Sequence, residues 1–161
     1  MRIDFGVSSY NNPDKLDRAV TAFRQNTHSD WRLLILENAS EDPQTIKVAQ
    51  KHASEDPRVI IKQLTTNVKY TGAVNHILEW AETNNVGYID NDAYIMTPGW
   101  DLKLASYLES NHEVAMAFPN GGAYPMQRPR YLEILWGVGF CWLLNRQRYK
   151  EIGGFDTEIG H

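Results

Sequence analysis

Val86-Gly87-Tyr88-Ile89-Asp90-Asn91-Asp92 joins a short apolar run to two carboxylates that stand two residues apart. The run reads as a buried strand, which puts the acidic pair at its end. Two like charges this close repel each other, and each loses hydration against a sheet. A divalent cation or a set of donors facing the pair relieves that cost. Hard cations such as Mg²⁺ take carboxylate oxygens and complete their shell with water and phosphate oxygens. The competing reading is an acidic turn that caps the following helix. An Asp-x-Asp is common by chance, so the surrounding chain has to decide between them.

Working outward, strands and helices alternate. Ile3 to Ser8 reads as a strand, followed by the turn Ser9-Tyr10-Asn11-Asn12-Pro13. Asn12 is expected to cap a helix with Pro13 at its first position. Leu16, Ala19, Val20 and Phe23 carry that helix at 3.6-residue spacing. Trp31 to Leu36 is a second strand, so continuously apolar that both faces should be covered. Its polar end, Glu37 to Pro43, offers Ser40 or Asp42 as the cap of a helix through Ile46, Ala49 and Ala53. Val59-Ile60-Ile61 is a third strand. Thr65 to Lys69 reads as a loop, and Val74, Ile77, Leu78 and Ala81 mark a third helix.

After the acidic pair, a helix is expected from about Gly99 to Leu108, strands over 114–118 and 137–144, and a short helix from Arg146 to Ile152. This order predicts an α/β fold with a mainly parallel central sheet. Ligands of such sheets bind beyond the carboxyl ends of the strands. Ser8-Ser9-Tyr10-Asn11, Glu37-Asn38 and Asp90-Asn91-Asp92 would all fall on that one edge.

The bulk properties narrow the field. A chain of 161 residues fits one domain, here taken as residues 1–161, with a core able to fold unaided. The net charge of -4 argues against a nucleic-acid binder. The single cysteine, Cys141, excludes an intramolecular disulfide, fits a reducing compartment, and reads as a buried structural thiol. No apolar run is long enough to span a bilayer and no signal peptide opens the sequence, so a cytoplasmic location is expected, with peripheral membrane contact left open. His28, His52, His76 and His112 lack metal-ligand spacing. Arg128 and Arg130 read as loop charges, and Trp136 and Trp142 as core aromatics with sugar stacking as the alternative.

In its motifs the chain resembles family 2 of the glycosyltransferases, enzymes of the GT-A fold, a Rossmann-like three-layer sandwich. Tyr10-Asn11 matches the pair that ends the family's first strand. Glu37-Asn38-Ala39-Ser40-Glu41-Asp42 matches its second strand end. Asn67, Gly72 and Asn75 match an Asn, Gly and Asn at the head of a helix. Asp90 to Trp100 matches the Asp-x-Asp with a trailing Pro-Gly-Trp, and Gly153-Gly154-Phe155-Asp156 matches a later motif.

The resemblance implies transfer of a sugar from a UDP- or GDP-linked donor, with inversion, to a glycan, lipid-linked or small-molecule acceptor. On the same basis Ser9, Tyr10 and Asn11 line the nucleobase pocket, and Glu37 accepts a hydrogen bond from the base. Asn67, Gly72 and Asn75 also belong to the donor site, with Gly72 permitting close approach. Asp90 and Asn91 face the ribose or metal-bound water, and Asp92 binds Mn²⁺ or Mg²⁺ on the diphosphate. Asp90 and His161 are further metal-ligand candidates. The family's general base lies in an acidic motif beyond Gly-Gly-Phe-Asp that is absent here, which leaves Asp156, Glu158 and His161 as candidates. The family's usual C-terminal acceptor region is expected to be missing.

Two other functions compete. One is a non-catalytic module that binds a nucleotide sugar or glycan. The other is a sugar nucleotidyltransferase, which ranks last because Ser8 to Pro13 contains neither Gly nor a basic residue.

Overall fold

The structure, a computed structural model, describes residues 1–119 and 139–151. Six strands form one sheet: β1 (Arg2–Ser9), β2 (Asp30–Glu37), β3 (Val59–Gln63), β4 (Asn85–Asp90), β5 (Met116–Ala117) and β6 (Cys141–Asn145). Five helices connect or follow them: α1 (Pro13–Asn26), α2 (Pro43–Glu55), α3 (Lys69–Trp80), α4 (Trp100–Ser110) and α5 (Arg146–Glu151). The sheet order is β3-β2-β1-β4-β6-β5. β1, β2, β3 and β4 are mutually parallel, while β6 runs antiparallel to both β4 and β5. The expected mainly parallel α/β sheet is therefore present, closed on one side by an antiparallel strand.

Side-chain alternation builds the three layers. Trp31, Leu33 and Ile35 of β2 point to one face, where α1, α2 and α4 pack; Leu34 and Leu36 point to the other, against α3. β6 divides in the same way, with Cys141 and Leu143 on the first face and Trp142 and Leu144 on the second. This two-sided burial is why β2 reads as an unbroken apolar run. Two glycines let the layers close. The Phe5 ring lies where a Cβ on Gly87 would stand, and the Ile77 side chain lies where one on Gly6 would. Phe23 then meets Phe5 and Trp31 edge-on, each at 5.0 Å between ring centroids.

From β1 the chain moves outward through β2 to β3, with α1 and α2 on one face. It then returns through α3 on the other face to place β4 on β1's far side. The direction of winding reverses between β1 and β4. Adjacent loops part at such a point and leave a crevice at the carboxyl ends of the strands.

Local expectations hold with exceptions. Asp42 caps α2, accepting from the Gln44 amide at 2.9 Å. Asn12 does not cap α1 with its side chain. It sits in the left-handed region at φ 54°, and its carbonyl oxygen accepts from the amides of Lys15 and Leu16. The strand expected over 114–118 keeps only Met116 and Ala117, which pair with β6. Of the strand expected over 137–144, residues 137 and 138 lie outside the described residues, and β6 begins at Cys141.

Candidate functional site at the carboxyl edge of the sheet

Register brings the three polar strand ends side by side. Ser9 pairs with Glu37, and Ser8 with Asp90. Hydrogen bonds between neighbouring loops then shape the edge. The Asn11 side-chain oxygen accepts from the amides of Glu41 and Asp42 at 3.0 and 3.1 Å, while the Asn11 amide donates to Ser40 Oγ at 2.9 Å. Glu37, buried at the end of β2, accepts from the Ser40 amide at 2.8 Å. Tyr10 is 39% exposed, which leaves its ring available to a ligand, and its hydroxyl lies 3.4 Å from Glu41 Oε1. Ser9 is fully buried, and its Oγ has no partner among the described residues.

Asn38, adjacent to Glu37, ties this edge to α3. Its Oδ1 accepts from the Val68 amide at 2.9 Å, and its Nδ2 donates to Asn67 Oδ1 at 3.2 Å. Asn67 Oδ1 also accepts from the amide of Lys69, the first residue of α3, at 2.8 Å. Gly72 sits one turn into α3, where a Cβ would stand 2.8 Å from Val68 Cβ. Its smallness therefore serves the helix's own entry loop. Asn75 lies further along α3, half-buried.

The acidic pair differs within itself. Asp90 is half-buried and accepts from the Tyr88 hydroxyl at 2.8 Å. Burial pushes its carboxyl above the usual range, the Tyr88 hydrogen bond opposes that rise, and the negative charge of Asp92 adds to it. Asp92 is half exposed and meets Lys15 Nζ at 3.1 Å. Asn91 lies between them, partly exposed.

An aromatic group supports Asp90 from the α3 face. Tyr88 stacks on Trp142 at 5.3 Å and meets Tyr70 edge-on at 5.3 Å. The Tyr70 hydroxyl accepts from Trp142 Nε1 at 3.2 Å and donates to the Gly139 carbonyl at 3.1 Å. Burial raises the phenol of Tyr88 well above its ordinary value, and nearby Asp90 adds to the effect. The Cys141 thiol is pushed up to about 12, by burial and then by Asp90, which suits a structural thiol.

Reading the sequence placed Asn38 on this edge without giving it a role, and missed Lys15, Tyr70 and Tyr88. Two signals were present: Asn38 directly follows Glu37, and Tyr88 stands two residues before Asp90, on the same strand face. Lys15 and Tyr70 have no sequence signal, since only folding brings them to this edge. Arg128, Arg130 and Trp136 lie outside the described residues, as do Gly153 to Asp156, with Asp156, Glu158 and His161. Among the described residues no group of three or more His, Cys, Asp and Glu side chains converges. None of the described helices is long and apolar enough to cross a membrane.

Solved structures share this architecture. The mannosyltransferase PcManGT from Pyrobaculum calidifontis, in complex with GDP-Man and Mn²⁺, superposes with a TM-score of 0.76 at 17% identity, over 99% of this chain and 48% of that one. TarS residues 1–349 from S. aureus, in complex with UDP, gives a TM-score of 0.75 at 18% identity, over 99% and 51%. The chain thus has the GT-A fold and spans about half the length of these proteins. An uncharacterized protein of Sinorhizobium fredii, y4gI, is 28% identical over 87 residues, which are 53% of this chain and 10% of that protein. The model of glycosyl transferase family 2 matches residues 4–157, nearly the whole chain, and the chain belongs to that family.

Proposed function

We propose that the protein transfers a sugar from a UDP- or GDP-linked donor to a glycan, lipid-linked or small-molecule acceptor, with inversion and with the help of Mn²⁺ or Mg²⁺. The observation that carries this reading is the convergence of Ser9, Glu37 and Asp90 in adjacent register where the winding of the sheet reverses. Family membership over residues 4–157 supports it. So do the GDP-Man, Mn²⁺ and UDP held by structures of the same fold.

The donor set fits a hard divalent cation. Asp90 and Asp92 offer carboxylate oxygens. Burial and mutual repulsion disfavour the ionised form of Asp90, and an ammonium already faces Asp92. A Mg²⁺-like ion bound through one or two carboxylates completes its shell with water and substrate phosphate. The ion would supply charge neutralisation for a departing nucleoside diphosphate. In this reading Asp92 holds the ion. Asp90, braced by Tyr88, faces the ribose or ion-bound water, with Asn91 beside it. Ser9, Tyr10 and Asn11 border the nucleobase opposite Glu37. Glu37 is an acceptor suited to a base N–H, and the Ser40 amide holds one of its oxygens. Asn67, Gly72 and Asn75 complete the donor side. Asp156, Glu158 and His161 stay the candidates for the base, and His161 for a further metal ligand.

Calorimetric titration with UDP- and GDP-sugars, with and without Mn²⁺, tests the reading. Metal-dependent binding of one of them is expected. Absence of binding to any nucleotide sugar under either condition would sink it. Release of the nucleoside diphosphate in the presence of acceptors then separates transfer from donor binding alone.

A further inference from the structure

Lys15 stands in the first turn of α1, with its Nζ 3.1 Å from Asp92 Oδ2. Two facts make this placement informative. A helix N-terminus carries partial positive charge and favours anions, so the helix dipole opposes a lysine there. The ion pair is also half exposed on both sides, at 50% and 50%, where such a contact contributes little to folding. One turn further on, the Arg18 guanidinium lies 4.4 Å over the Tyr94 ring. Cationic side chains three residues apart on α1 thus touch the loop after β4 at residues 92 and 94. Lys15 therefore adds little to the fold where it stands, and it is aimed at the carboxylate assigned above to the metal.

A divalent cation and an ammonium cannot both hold Asp92 at full strength, because they repel each other. When the cation arrives with a diphosphate, new negative oxygens appear beside the same carboxylate. Lysine suits them as a mobile point charge on a flexible stem. We propose that Lys15 is a diphosphate-binding residue of this site: it neutralises Asp92 in the empty protein and pairs with the donor's diphosphate once a divalent cation takes Asp92. The proposal rests on the metal-dependent donor reading and adds a residue that no motif in the sequence marks.

It makes two predictions of opposite sign. Lys15 competes with the metal and assists the nucleotide. Calorimetry with MnCl₂ alone, then with UDP and GDP at saturating Mn²⁺, is run on the wild type, Lys15→Ala and Lys15→Arg. Losing a half-exposed ion-pair partner should let Lys15→Ala bind Mn²⁺ about threefold tighter. Losing a charge-assisted phosphate contact should weaken its nucleoside diphosphate binding roughly tenfold. Lys15→Arg should recover most of the nucleotide affinity. Nucleotide affinity in Lys15→Ala within a factor of about two of wild type overturns the phosphate role. Unchanged or weaker Mn²⁺ binding overturns the competition. A wild-type protein that binds neither Mn²⁺ nor nucleotide instead overturns the donor reading itself, so the two failures are distinguishable. The variant should melt as the wild type does, because its side chain is half exposed.

Discussion

The two edges of this sheet treat their carboxylates in opposite ways. At the amino edge, Asp4 of β1 is fully buried and fully partnered. Arg32 of β2 grips both its oxygens at 2.9 Å, and the amides of Glu82 and Thr83 donate to it at 2.7 and 3.1 Å. Burial alone would raise this carboxyl. Arg32 and the two amides outweigh burial and hold it below the usual carboxylate range. Arg32 is itself braced, stacked 5.0 Å over Trp80 and 3.1 Å from Glu82. At the carboxyl edge, Asp90 is half-buried beside another carboxylate, its bond from Tyr88 does not offset burial, and its carboxyl is raised. One edge is closed electrostatically by the protein alone, and the other leaves Asp90 raised by burial and by the neighbouring Asp92. An acid placed for stability is saturated with donors, and an acid placed for binding keeps part of its valence open.

That contrast can be broken most forcefully at Asp4. Asp4→Asn should cost roughly 3 kcal/mol or more in denaturant unfolding, because it removes the buried charge that grips Arg32 and leaves that guanidinium only the exposed Glu82. A loss below about 1 kcal/mol would show that this edge is not held by the ion pair. At the other edge the effect should fall on binding. Asp92→Asn should weaken Mn²⁺ binding by more than about 100-fold in calorimetry, beyond what removing a supporting group costs. Its metal-free melting temperature should hardly change, because Asp92 is half exposed. Asp90→Asn should melt no lower than wild type at neutral pH without metal. The sign follows from the raised carboxyl: the folded state binds the proton more tightly than the unfolded chain, so the stability it contributes is lost as pH rises through the folded pKa. Ionisation of Asp90 works against the metal-free fold, and the amide removes that opposition.

Tyr88→Phe joins the two kinds of effect. It should cost about 1–2 kcal/mol in stability, as loss of a hydrogen bond to a charged group does, and weaken Mn²⁺ roughly tenfold by freeing Asp90. Unchanged metal affinity would restrict Tyr88 to packing. The smallest difference is expected in acid. Asp4 is held below its ordinary value of 3.8, so its contribution is present above that pH and lost as pH falls from there through the folded value. Wild-type stability should decline over that range more steeply than that of Asp4→Asn, and parallel curves would reject this account.

Much of the frame was legible in the sequence. Short apolar runs and 3.6-residue patterns located the strands from Ile3 to Ile89 and the helices between them, because burial on both faces of a strand or one face of a helix leaves an imprint. The strand ends could be placed on one edge because the pattern implied parallel pairing. Backbone detail was less legible. Asn12 looked like a capping side chain, but it supplies a left-handed backbone and a carbonyl. Gly72 gave no sign that its missing Cβ also makes room for Val68. In both cases local chemistry allowed more than one use, and only the path of the chain brought this one into view.

By itself the sequence determined the layered α/β plan, the polar character of the strand ends and the acidic pair, since each is written in residues close together in the chain. The tertiary structure decided what each charge faces. It set Lys15 against Asp92 across 77 positions of sequence, Asn38 against Asn67, and Arg32 against Asp4. An ion pair or hydrogen bond acts over a few ångströms whatever the separation along the chain. Packing of helices on the sheet sets those distances, and no local pattern records them.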